Sequence, residues 1–217
     1  MFSAFDPDLK IKAKSGKVFN YNTPEFADAL SIDGVQMISE SLEENALFKF
    51  EEQQVPVLVK GVSEEFSLMT DMPQLIVDGR FHLSDGDVDY TVLGAGLAMS
   101  LGARAGYVNF IEIYAPKRDV RVNLANPTAA FTRNDVMISG VFSLNQVDID
   151  EQMAIVPIHL ARELFRYDSE VSSLELKLAP GASVKKVKKQ IEEIIGDSFW
   201  IENRYEQQIE SYRMLQI

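Results

Sequence analysis

The chain opens on an alternation. Leu9, Ile11 and Ala13 point one way and Lys10, Lys12 and Lys14 the other, a period of two that predicts a half-buried strand. Thr23-Pro24-Glu25 reads as a helix start: Thr23 supplies the cap, and Pro24 stands at the first helical position, where a missing N–H costs nothing. Phe26, Ala29 and Leu30 give that helix a short apolar face, and Asp33-Gly34 ends it. A second strand is expected over 35–39, then a hairpin from 47–50 through 51–54 into 55–61, with Val55, Val57 and Val59 on one face. Pro56 cannot donate to a ladder, so it suits an edge or an unbonded position. Residues 63–71 suit a short helix or loop, and 73–81 a connector.

The middle is rich in strand patterns, at 88–93, 108–114, 120–124, 136–142 and 153–156. Between them stand a short helix at 97–101, a turn at Ala125-Asn126-Pro127-Thr128 and an acidic loop around Asp148 and Asp150. Residues 159–167 form a helix that turns Ile158, Ala161, Leu164 and Phe165 inward. Leu174, Leu176 and Leu178 then alternate with Ser173, Glu175 and Lys177, another strand. Ser183 caps a helix with Val184, Val187, Ile191, Ile194 and Ile195 on one stripe and Lys185, Lys186, Lys188 and Lys189 outside; Gly196 stops it. A strand over 198–201 and a helix from Arg204 complete the chain. Strand–helix–strand units thus stand at both ends with a β-rich block between them. The predicted fold is α+β and two-lobed: a βαβ-based lobe formed from both chain ends, with a β-rich lobe inserted in the middle.

Composition narrows the chemistry. At 217 residues and 46% apolar content, a well-buried core needs no metal or disulfide, and the absence of cysteine removes thiol catalysis and every Cys-ligated metal site. Two histidines cannot make a three-His site. With 33 acidic against 21 basic residues, the charge of -12 argues against nucleic acid as a partner. No stretch approaches the roughly 20 apolar residues of a spanning helix. No signal peptide is visible, and both ends read as cut points within a longer chain.

Five features invite a chemical reading. Gly94-Ala95-Gly96 follows a strand and opens a helix, but Met99 stands where the dinucleotide fingerprint needs its third glycine, so a tight strand-to-helix turn is the better account. Asp85, Asp87 and Asp89 alternate as in a calcium loop, yet Tyr90 and Gly96 occupy the positions that need glycine and glutamate. His82 and His159 are the available bases for a triad, and no GxSxG or Walker A run accompanies them; Gly16-Lys17 lacks both flanks of the latter. The four lysines of the 184–195 helix read first as a solvated face and second as a surface for lipid headgroups or an acidic partner. Finally, residues 115–133 carry Lys117, Arg118, Arg121 and Arg133 against one acid, Asp119, together with Val122, Leu124 and Phe131. Locally positive and partly apolar, this stretch is either a protruding hairpin that grips a partner or a plain surface loop.

Four passages carry a family resemblance: VQMISESLEENALFKFEEQQVPVLVKGVSEEF, LGAGLAMSLGARAGYVNFIEIYAP, ISGVFSLNQVDIDEQMAIVPIHLARELF and NRYEQQIESYRMLQI. They resemble the extracytoplasmic core domain of FtsX-like ABC transporter permeases, the MacB-like periplasmic domain also found in lipoprotein-releasing permeases of the LolC/LolE type. Residues 94–106 follow the family's GxxLAxxLGxxxGD run, with Tyr107 in place of its acid.

The resemblance implies a porter-like lobe from 1–84 and 171–217 and a sabre-like lobe from 85–170. It implies no enzyme activity, cofactor or metal. The domain would be the periplasmic part of an inner-membrane protein, passing on conformational change driven by a cognate ATPase subunit reached through transmembrane segments. Its other partners would be a periplasmic lipoprotein chaperone or an adaptor protein, and a second permease copy or paralogue. In the lipoprotein-releasing branch a protruding hairpin recruits the chaperone; by position it maps within 115–133, with Arg118, Arg121 and Phe131 as expected contacts, although the family's Pro-Met-Gly-type tip is missing. The alternatives are a MacB-type efflux or mechanotransmission role and, of a different class, a freestanding enzyme or small-ligand binder using a cleft between lobes.

Overall fold

In the computed structural model, residues 6–106, 110–120 and 127–214 are described. In chain order the elements are β1 (Leu9–Ala13), α1 (Pro24–Leu30), β2 (Val35–Phe50), β3 (Gln53–Val62), α2 (Phe66–Met69), β4 (Ile76–Gly79), β5 (Ser84–Asp85), β6 (Val88–Gly94), α3 (Ala95–Leu101), β7 (Ile111–Pro116), β8 (Phe131–Phe142), α4 (Val147–Gln152), β9 (Met153–Pro157), α5 (Ile158–Phe165), β10 (Ser173–Leu178), α6 (Val184–Ile195), β11 (Phe199–Asn203) and α7 (Arg204–Met214). The strand expected at 120–124 lies mostly outside the described residues.

The chain divides into two compact units, 1–41 with 63–71 and 169–217, and 42–62 with 72–168. In the first, the strand order is β11-β1-β10-β2, and every pairing is antiparallel. β1 and β2 are therefore parallel to each other with β10 between them, and β10 and β11 are parallel with β1 between them. This is a split βαβ arrangement, used twice, with α1 and α6 as the crossovers. The two helices pack together. Phe19, Phe26 and Phe199 meet beneath them with ring centroids 5.0–5.7 Å apart, the offset and edge-on geometry that aromatic quadrupoles favour. Thr23 caps α1 and Ser183 caps α6, each accepting a backbone N–H three residues on.

In the second unit the pairings close on themselves. β2 pairs with β3, β3 runs parallel to β9, β9 antiparallel to β6, β6 parallel to β8, β8 antiparallel to β7, and β7 antiparallel to the second half of β2. Six strands thus form a ring, which removes the free edges an open sheet would present. Buried residues alternate along β7, at Ile111, Ile113 and Ala115, whereas β9 and the ends of β3 and β6 are buried on both faces. α5 lies over β3, where Gly61 leaves room for the Ala161 side chain.

Several expectations change. β2 is one sixteen-residue strand, not two pieces. The break was expected where Glu40, Glu43 and Glu44 cluster, but each accepts a bond from across the structure: from Tyr21, Lys60 and Tyr167 at 2.8, 3.0 and 2.9 Å. The connector at 73–81 contains β4, which pairs with β8. Residues 42–62 and 72–84, expected with the chain ends, group with the middle because the second half of β2, β3 and β4 find β7, β9 and β8 there. The acidic loop at Asp148 and Asp150 is helix α4. β10 is buried on both faces, Glu175 included, because its register sets it between β1 and β2 with Lys10 on one side and Ser39 on the other.

Candidate functional site

The stretch at 115–133 is flanked by a true hairpin. β7 and β8 pair in register from Ile111↔Val136 to Pro116↔Phe131, and beyond them the Lys117 amide donates to the Ala130 carbonyl at 2.8 Å. Three residue pairs face outward along this ribbon: Glu112 with Asp135, Tyr114 with Arg133, and Pro116 with Phe131.

The lowest outward pair sets two carboxylates opposite each other, which by itself repels. Arg133 resolves this. Its Nε and Nη2 donate to Asp135 at 3.1 Å each, and Nη2 also lies 3.5 Å from Glu112. Lys49, opposite Glu112 on β2, adds a 3.6 Å contact. The Tyr114 hydroxyl donates to Glu112. That bond first, and then Arg133 and Lys49 against the cost of burial, hold the Glu112 carboxyl below its ordinary value. The same bond pushes the Tyr114 hydroxyl up.

Among the described residues, three of the four basic side chains read from the sequence are thus engaged inside the unit. Lys117 donates to the Ala129 carbonyl at 2.9 Å, Arg118 stacks 4.2 Å over the Tyr167 ring, and Arg133 serves two acids. Arg121, the second expected arginine, lies outside the described residues. Asp119 accepts from Arg166 at 2.6 Å. Among the described residues of the hairpin, Phe131 and Val120 are the exposed large apolar side chains, at 37% and 39%, beside the exposed but engaged Arg118, Asp119 and Arg133. Of the three expected contact residues, Arg118 is engaged and Phe131 is open. The acids that neutralise Arg133 sit just outside 115–133; strand periodicity was the signal that could have found Asp135, two positions away along β8, whereas Glu112 on the neighbouring strand needs the β7–β8 register.

The other candidates resolve into structure. Gly94 has ordinary extended angles; its need for glycine comes from α4, since a Cβ there would lie 2.3 Å from the Asp150 carbonyl oxygen. At Gly96 a Cβ would lie 2.6 Å from Glu151. The GAG run is thus a seat for α4. Asp85 ends β5 and Asp87 lies in the β5–β6 turn, while Asp89 receives Ser84 at 3.1 Å and sits 2.9 Å from His159 Nε2. The His82 ring lies against Tyr90. Among the described residues no group of three or more His, Asp or Glu is arranged to hold a metal. On α6, Lys188 bonds Glu206 of α7 at 2.7 Å. Burial pushes the Glu206 carboxyl up, but the bonds from Lys188 and the Asn203 amide outweigh it and leave it below its ordinary value. A cleft of about 720 Å3 beside this pair is lined by Val184, Lys185, Lys189, Arg204 and Tyr205.

Known proteins share this architecture. Residues 3–194 match the family described as the MacB-like periplasmic core domain. The chain is 34% identical over 103 residues to the lipoprotein-releasing system transmembrane protein LolC of Neisseria meningitidis serogroup B, and it spans 23% of that protein's length. Among solved structures, the extracellular domain of the noncanonic ABC-type transporter YknZ from Gram-positive bacteria superposes with a TM-score of 0.60 at 11% identity, covering 90% of this chain and 99% of that one. The periplasmic region of MacB from Actinobacillus actinomycetemcomitans gives 0.59 at 14% identity, covering 95% and 94%. A domain of a putative permease protein from Porphyromonas gingivalis gives 0.54 at 16%, covering 94% and 93%. At these identities the structural likeness is one of fold, a mixed α+β fold, and the match over 3–194 carries the assignment: the chain belongs to the family of MacB-like periplasmic core domains.

Proposed function

We propose that this chain is the extracytoplasmic domain of an ABC-type permease, the periplasmic part of an inner-membrane protein. It does no chemistry of its own. It passes on conformational change driven by a cognate ATPase and engages a periplasmic lipoprotein chaperone in lipoprotein release. In this reading the unit holding both chain ends plays the porter-like part and the unit built on the six-strand ring plays the sabre-like part. Family membership and the LolC relative support the permease assignment. No helix among the described residues is long and apolar enough to cross a membrane, so spanning segments would belong to other parts of the protein.

The observation that carries the partner assignment is the mouth of the β7–β8 hairpin, where Phe131 and Val120 stand exposed above a ribbon whose charges are already paired. An exposed aromatic at the end of a rigid ribbon is the kind of anchor that dominates an interface. Phe131 and Arg121 are the assigned contacts; Arg118 reaches a partner only by leaving Tyr167. Calorimetric titration of the domain with the lipoprotein chaperone of the same organism tests this, with saturable one-to-one binding as the expected result.

A second reading, MacB-type efflux or mechanotransmission with an adaptor as partner, draws on the likeness to the MacB periplasmic region over 95% of the chain. Binding to a periplasmic adaptor but not to the chaperone would select it.

A further inference from the structure

Two consecutive residues at the root of the hairpin tip meet two consecutive residues at the end of α5. The Arg118 guanidinium lies 4.2 Å over the Tyr167 ring, and Asp119 accepts from Arg166 Nη1 at 2.6 Å. Tyr167 is in turn fixed from behind: its hydroxyl donates to Glu44 on β2 at 2.9 Å, and its amide donates to the Arg162 carbonyl at 3.0 Å. Arg166 ends α5 in the left-handed region, φ 60°, a conformation that costs a non-glycine side chain. Leu164 and Phe165, immediately before it, are buried and hold the helix end in place. A strained arginine is thus kept where glycine would sit more easily, and its guanidinium is used on the hairpin.

We infer that Arg166 and Tyr167 are positioning residues for the hairpin: a latch that holds the root of the tip against α5 and so fixes the direction in which Phe131 and Val120 are presented. The inference rests on the hairpin being the partner-binding element. It reassigns Arg118 from a partner contact to a latch contact and gives Asp119 the same part. The Asp119–Arg166 pair is exposed and Arg118 stacks from solvent on the half-buried Tyr167 ring, so each link is modest in strength and the latch is releasable.

The test begins on the domain alone, by hydrogen exchange of the wild type, Arg166→Gly, Tyr167→Leu, Tyr167→Phe and the Arg166→Gly/Tyr167→Leu double variant. Glycine suits the left-handed position, so Arg166→Gly removes the Asp119 link without straining the helix end. The latch predicts about tenfold faster exchange in the double variant for peptides covering 112–118 and 131–135. Peptides covering 90–94 and 153–157 should not change. Tyr167→Phe, which keeps the ring, should exchange at the hairpin more like wild type than Tyr167→Leu does. Raised salt should loosen the wild-type hairpin more than that of Arg166→Gly, because the exposed Asp119–Arg166 pair is screened while the Arg133 and Lys49 pairs are common to both. Unchanged hairpin exchange in the double variant overturns the latch, as does equal acceleration across the whole unit. Calorimetric titration with the lipoprotein chaperone then separates the two claims. Faster hairpin exchange with a wild type that binds no chaperone leaves the latch standing and removes the chaperone reading. Chaperone binding undiminished in a double variant with a loosened hairpin removes the positioning role.

Discussion

Gly61 shows how far a single side chain reaches. A Cβ at this position would lie 2.3 Å from the Ala161 Cβ, and both belong to packed elements with little room to shift. Gly61→Ala is expected to cost about 1–3 kcal/mol by overpacking, measured by chemical denaturation, and Ala161→Gly in the same chain should restore part of the loss. Glu112 gives the pH counterpart. Its carboxyl is held low by the Tyr114 hydroxyl first, with Arg133 and Lys49 assisting. A group with a lowered folded value stabilises above its unfolded value and loses that contribution as pH falls through the folded one. The stability advantage of wild type over Tyr114→Phe should therefore be full at neutral pH and shrink as pH drops below the ordinary glutamate range. Carboxyl NMR should show the Glu112 midpoint rising in Tyr114→Phe; an unmoved midpoint contradicts the assignment. Neither feature was legible from the chain. Gly61 sits inside a valine-rich strand with no sign of a helix above it, and the Glu112–Arg133 pairing needs a register that the residue order does not display.

Elements with local signals were legible, and those whose signals come from elsewhere were not. α1 and α6 carry their caps, apolar stripes and stops in sequence, so Thr23, Pro24, Ser183 and Gly196 stand where expected. α4 does not. Its acids suggested a loop, yet Asp150 is buried, accepting from Ser143 Oγ at 2.9 Å and the Leu144 amide at 2.8 Å. The carboxylate organises the turn that precedes its own helix. Asp150→Ala strands the Leu144 N–H and should cost about 1–3 kcal/mol. The loss should appear as a lowered melting temperature, with faster exchange in α4 and in the start of α3 that it covers. β2 was expected in two pieces with Glu40, Glu43 and Glu44 in the gap, but Tyr21, Lys60 and Tyr167 bond these carboxylates and the strand runs through.

On the scale of the whole molecule, the twofold use of a split βαβ motif brings both chain ends into one unit, and the β2–β3 hairpin runs from its sheet into the six-strand ring. Strand–helix–strand patterns at the two ends made the first part legible. Ring closure was not, because it depends on β7 pairing both with β2 and with β8, and no local pattern encodes that choice. In the proposed function, the ring's hairpin presents Phe131 to a periplasmic lipoprotein chaperone. The most direct test is calorimetric titration of the purified chaperone into wild type, Phe131→Ser and Arg121→Glu, with melting temperatures recorded for all three. Saturable one-to-one binding that weakens about thirtyfold in Phe131→Ser at an unchanged melting temperature is the predicted result. Equal affinity for all three proteins, or no binding by a folded wild type, contradicts it.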